Sequence, residues 1–239
     1  MISPHLLLVL AYLLLDHLSV ALASPRLALL ALGTLVAMLL LAPLRARRAW
    51  AWLLLAACLV GLLTPPVQHW APFVLMLPPT VVNLALAALF GHTLLAGREP
   101  LVARMVRLLH ANDAVQDEAV WGYARNVTAC WTALFVFNAT VTFALALVAT
   151  PVGLLRMAGI EPPFAMPAVW WSYFSNFGCY LLVGVLFLVE FMVRQRRFPW
   201  QPYANLFDFL RRAAAIGPAL NAEMAAERAA AARARESRP

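Results

Sequence analysis

AVWWSYFSNFGCYLLVGVLFLVEFMVRQRR, residues 168–197, decides the fold class. From Ala168 to Val193 the only charged side chain is Glu190, and the run then ends in Arg194, Arg196 and Arg197. About 20 apolar residues in helical rise cross the hydrocarbon layer of a bilayer. Trp170, Trp171 and Tyr173 stand at the opposite end from the arginines, where interfacial aromatics gather. The apolar residues are continuous and do not alternate, which excludes a barrel strand. The segment reads as a transmembrane helix with its arginine end in the cytoplasm.

The rest of the chain extends this reading. Of 239 residues 64% are apolar and 12% charged, and the mean hydropathy is +0.79. A soluble fold of this size cannot hide so much apolar surface, whereas a bilayer solvates it and requires backbone that bonds to itself. The class expected is all-α: a polytopic membrane protein of about six transmembrane helices with amphipathic interfacial segments. Spans are expected near 3–23, 27–44, 49–63, 73–96, 127–148 and 168–193, with an interfacial helix near 101–111. Residues 1–197 thus make a transmembrane helical domain, and 198–239 a cytoplasmic tail, amphipathic or disordered. In that tail Tyr203, Leu206, Phe207 and Leu210 recur at helical spacing beside Arg211 and Arg212, before an Ala/Arg/Glu stretch.

A net charge of +7 and a pI near 10.2 would suggest nucleic acid in a soluble protein. Position gives a better account. All eighteen basic residues are arginine, and with both termini inside only Arg26 and Arg156 fall outside. This is the positive-inside bias, and it argues for cytoplasmic termini and against nucleic acid. One rival concerns the first span, where Ala21-Leu22-Ala23 before Ser24 resembles a signal-peptidase site. The lack of Lys or Arg ahead of the apolar run, and Asp16-His17 within it, favour an uncleaved helix.

Two Pro-Pro pairs punctuate the chain. Pro65-Pro66 ends the third span, and Pro78-Pro79 either kinks the fourth or marks a shallow entry before a true start near Thr80. Such breaks also occur in the discontinuous helices of transporters. From Leu101 the chain is amphipathic, with Leu101, Met105, Leu108 and Leu109 on one face and Arg104 and Arg107 near it, suited to anionic lipid of the inner leaflet. Asp113 and Gln116 resemble a capping box for the next helix.

Ionisable groups inside a bilayer are costly and point to function. Asp16 and His17 are the sharpest pair. They read either as a proton relay or polar contact within a cavity, or as Asp16 pairing with a polar group on another helix or sitting near the outer surface in a shifted span. Asn83, His92, Asn138 and Asn176 lie in later spans, where asparagines usually act as packing hydrogen bonds. Glu190 and Arg194 have the i, i+4 spacing of an ion pair. Cys58, Cys130 and Cys179 each sit in an apolar run and read as small hydrophobes. No metal, phosphate-loop or nucleophile-elbow motif occurs, so no metal or cofactor is expected.

Three stretches carry a family resemblance: FGHTLLAGREPLVARMVRLLH (Phe90–His110), YARNVTACWTALFVFNA (Tyr123–Ala139) and WWSYFSNFGCYLLVGVLFLVEFMVRQRRFP (Trp170–Pro199). Over these the chain resembles bacterial inner-membrane proteins encoded in aryl polyene and xanthomonadin-type pigment clusters, some labelled ketosynthase by neighbourhood. The resemblance implies a pathway and a compartment, with no catalytic residue to carry over. A thiolase-fold ketosynthase is a soluble α/β enzyme with an activated cysteine, which this sequence is not. Within the matched stretches the polar candidates are Arg98, Glu99, Arg104, Arg125, Asn126, Asn138, Asn176 and Glu190. The function expected first is an inner-membrane accessory protein of aryl polyene synthesis that docks acyl carrier protein or cytosolic enzymes, with membrane lipids as its other partners. A small lipid or pigment transporter, resting on Asp16, His17 and the proline breaks, is the second reading. An integral acyl or lipid transferase working near Arg98-Glu99 is the third.

Overall fold

A computed structural model describes residues 4–22, 24–62, 64, 74–109, 118–198 and 205–236. These residues are almost entirely helical, and three helices are long and apolar enough to cross a membrane: Leu77–Leu94, Glu118–Val148 and Ala168–Arg197. The chain divides into two compact units, residues 1–84 with 136–182, and residues 85–135 with 183–239.

The first unit opens with three apolar helices, α1 (Pro4–Ala21), α2 (Pro25–Arg45) and α3 (Ala49–Leu62). Their apolar stretches are shorter than those of the three long helices. Helix α1 packs along α2, and α2 along α3. Ala28 and Ala31 bury completely against Tyr12 and Leu75, because a methyl side chain lets two backbones approach closely. Helix α4 (Leu77–Gly91) starts just ahead of Pro78-Pro79. The prolines therefore occupy the first turn, where a missing N–H costs no helical bond. Thr80 meets the Thr142 hydroxyl at 3.0 Å. Thr142 belongs to α6 (Glu118–Val148), which begins nine residues before the expected fifth span, Glu118 suiting its N-terminal dipole.

Beyond α6, the two-residue strand β1 (Ala149–Thr150) pairs in parallel with β2 (Met166–Pro167), enclosing the short helix α7 (Leu154–Met157). Gly153 is required in this turn: a Cβ there would stand 2.2 Å from the Ala149 carbonyl oxygen. Helix α8 (Ala168–Tyr173) follows, then a π-helical segment, Phe174–Gly178, and α9 (Cys179–Arg197). Trp171 is fully buried among Met76, Ala146, Ala149 and Ala168, and α8 also packs on α1. The π segment has no counterpart in the sequence expectation, which treated 168–193 as one regular span.

In the second unit the end of α4 passes into a 3₁₀ turn, His92–Leu94, and then α5 (Leu101–Leu109). Helix α10 (Leu206–Glu236) is continuous over 31 residues and packs on α5. The tail segment expected as a frayed helix or disorder thus folds as a helix, through alanine-rich propensity and ion pairs to α5. Among its described side chains Phe209 is buried, against Phe191, while Phe207 is 82% exposed. Pro65-Pro66, the Asp113–Gln116 capping box and Tyr203 lie outside the described residues.

Candidate functional site

The first unit holds a buried polar cluster on α1, α8 and the π segment. Asp16 is 1% exposed, and its Oδ2 accepts a hydrogen bond from Asn176 Nδ2 at 3.0 Å. The same amide donates to Ser172 Oγ at 3.1 Å, and Ser172 Oγ meets His17 Nδ1 at 2.9 Å. Asp16 and His17 are adjacent on α1, about 100° apart, yet the Ser172–Asn176 pair reaches both. The His17 ring lies against Tyr173 and Phe177, at centroid distances of 5.1 and 5.3 Å. Ser19 caps the Asp16 carbonyl at 2.8 Å. Three polar atoms of this region are buried without a hydrogen-bond partner among the described residues: Tyr12 Oη, Asp16 Oδ1 and Trp171 Nε1. Buried polar groups are nearly always satisfied, so this concentration marks the region.

The second unit holds an apolar cavity of about 220 Å³. Five aromatic rings line it, from Phe90, Trp131, Phe135, Phe187 and Phe209. Phe90 stands edge-tilted to Phe135 at 5.4 Å, and Trp131 to Phe135 at 5.7 Å. One ion pair enters the apolar wall: Arg194 Nε to a Glu190 carboxylate oxygen at 3.1 Å, both side chains below a tenth exposed. The Arg194 guanidinium also lies 4.3 Å from the Phe209 ring centre, a stacking that Arg favours when desolvated.

Beside the cavity, α5 and α10 are joined by a clasp of charges. Arg104, 4% exposed in its side chain, ion-pairs with Glu227, with Glu99 at 3.5 Å and with Glu223 at 3.9 Å. Arg107 forks onto both Glu99 oxygens at 3.0 Å and reaches Glu223 at 2.8 Å. The hydrogen bonds that the Arg107 guanidinium donates to these carboxylates hold it above its ordinary range, Glu99 contributing most. Arg104 and Arg107 are therefore engaged with protein carboxylates. Glu99 faces them and not Arg98, which is exposed.

The remaining candidates are dispersed. Asn83 donates to the Pro79 carbonyl at 2.8 Å, within its own helix, and His92 Nδ1 faces the Leu89 and Ala88 carbonyls. Arg125 donates to the Leu94 carbonyl at 2.9 Å, and Asn126 is exposed. Asn138 corrects the expectation of a cross-helix bond: its amide is fully buried, and neither amide atom has a partner among the described residues. Replacing it with Leu should raise stability by roughly 1–3 kcal/mol, the desolvation penalty of an unmet polar group. Thermal unfolding of the Asn138→Leu protein in detergent checks this; a lower midpoint would contradict it. Sequence reasoning missed Ser172, Glu223 and Glu227. The Ser172–Asn176 and Glu223–Glu227 spacings of i, i+4 were the available signals.

No protein-family model, curated protein or solved structure matches this sequence.

Proposed function

We propose that this chain is an inner-membrane protein of about six spans, both termini cytoplasmic, serving the synthesis of an aryl polyene-type lipid or pigment. In this reading it is an accessory protein that holds the flat apolar chain near the cytoplasmic surface while cytosolic enzymes or an acidic carrier protein deliver it. The aromatic cavity carries the proposal. A dry apolar cavity of about 150 Å³ already accepts a benzene ring, so about 220 Å³ suits an aryl end and a short stretch of conjugated chain. Rings packed edge and face around it favour a π-system over a saturated tail. Exposed Arg98, Arg196 and Arg197 in the same unit suit an acidic partner. Deletion followed by lipid and pigment mass analysis tests the reading: product should stop or appear truncated, and unchanged product sinks it.

A second reading, a small lipid or pigment transporter, is favoured by the Asp16–Asn176–Ser172–His17 cluster, since π segments recur at functional sites. Product should then accumulate in the inner leaflet when Asp16 and His17 are both replaced by Ala. Normal export from that strain removes this reading.

A further inference from the structure

We propose that Asp16 is a reversible proton-binding site, loaded and unloaded as its α1 face meets and leaves the Ser172–Asn176 pair. This rests on the transport reading and names its coupling ion. Asp16 is among the most buried side chains of the first unit, on a helix whose α2 side is packed with apolar residues. Among the described residues no Arg or His ion-pairs with it, and one carboxylate oxygen, Oδ1, has no hydrogen-bond partner. A carboxylate charge in an apolar span without a fixed partner must be neutralised by something that comes and goes.

The surroundings select a proton over a metal cation. Asn176 turns its N–H, not its carbonyl, toward Asp16, which repels a metal ion. Hard cations take six or more oxygen ligands, and no cluster of three His, Cys, Asp or Glu occurs among the described residues. A proton needs one lone pair, and Oδ1 offers it. The titratable groups facing the site are Tyr12, one turn earlier on α1, Tyr173 on α8 against the His17 ring, Tyr180 on α9 within electrostatic reach of Tyr12, and Cys179 beside Tyr180. Against α1, helix α2 presents Ala28 and Ala31, with its Arg26 exposed. His17 is half-buried, and its Nδ1 meets Ser172 Oγ at 2.9 Å.

The step balances without a further reactant. A hydronium ion gives its proton to Asp16 Oδ1, one O–H bond forms, and water leaves; unloading reverses it. The π segment supplies the movement. The segment is a π-helical turn inside a longer helix, a feature that recurs at functional sites.

Infrared spectra of the purified full chain in lipid nanodiscs, recorded against pH, test the site. The wild type should show a protonated-carboxyl band that titrates, shifts on 13C-aspartate labelling, and ignores sodium at fixed pH. The band should vanish in Asp16→Asn and persist in Glu190→Gln. Labelling is repeated in the Asp113→Asn, Asp117→Asn, Asp208→Asn background, where Asp16 is the one aspartate left, so it stands even if Asp16→Asn folds poorly. In that background no aspartate-derived titrating band, or one that follows sodium, overturns the proposal whatever export does. A titrating band together with normal export from the Asp16→Ala, His17→Ala strain leaves the proton site standing and removes only the transport reading.

Discussion

Exchanging Glu99, Glu223 and Glu227 together for glutamine should release α10 from α5 and cost about 3–5 kcal/mol, more than the loss of Arg104 itself. The asymmetry follows from where the charges lie. The Arg104 side chain is 4% exposed, whereas Glu99, Glu223 and Glu227 are 26%, 35% and 56% exposed. Neutralising the three carboxylates strands a guanidinium that cannot reach water. Replacing Arg104 with Met leaves carboxylates that can hydrate, and Arg107 still binds two of them, so about 1 kcal/mol is expected. Protease release of the tail, with thermal unfolding in detergent, measures both variants. A triple variant no worse than Arg104→Met would show that the clasp contributes nothing. Salt should weaken the exposed Glu227 arm first. The sign of the pH effect is also fixed for Arg107. Its folded value is raised, so its contribution is complete below the unfolded arginine value and is lost only as pH rises through the higher folded one. Across the neutral range the Arg107 arm is constant.

What could be read from the sequence was whatever repeats along the chain. Apolar runs of span length and arginines grouped at their ends are one-dimensional patterns, so the apolar runs 127–148 and 168–193, which lie within the helices Glu118–Val148 and Ala168–Arg197, were legible, as was the Glu190–Arg194 pair. Asp16 and His17 were visible because a charge in an apolar run stands out. Their partners were not, since Ser172 and Asn176 lie more than 150 residues away and are ordinary residues for a helix. The π segment left no signature either: FSNFG has no proline, and its one glycine is tolerated within a span. The tail misled for a different reason. Phe207 and Phe209 are two apart and cannot share a helix face, and which of them turns inward depends on α9 supplying Phe187 and Phe191. Arg104 and Arg107 suited lipid phosphate as well as carboxylate, and only the fold brings Glu223 and Glu227 to them.

Truncating Trp171 to Ala should cost about 3–5 kcal/mol, while Trp171→Phe should be nearly neutral, within about 1 kcal/mol. Trp171 is 1% exposed and closes the cluster of Met76, Ala146, Ala149 and Ala168. Removing the whole indole leaves a cavity beside three alanines, which have little side chain with which to fill it. Phenylalanine retains most of the apolar volume and deletes the indole N–H, which has no acceptor among the described residues. Relief of an unmet buried donor, roughly 1–3 kcal/mol, offsets the lost ring volume. The comparison therefore reads the packing and the polar vacancy separately, by unfolding midpoints of the two variants in one detergent. If Trp171→Phe proves as damaging as Trp171→Ala, the indole N–H has an acceptor in the working protein. In that case Trp171 stands beside Ser172 as a further polar member of the Asp16 cluster.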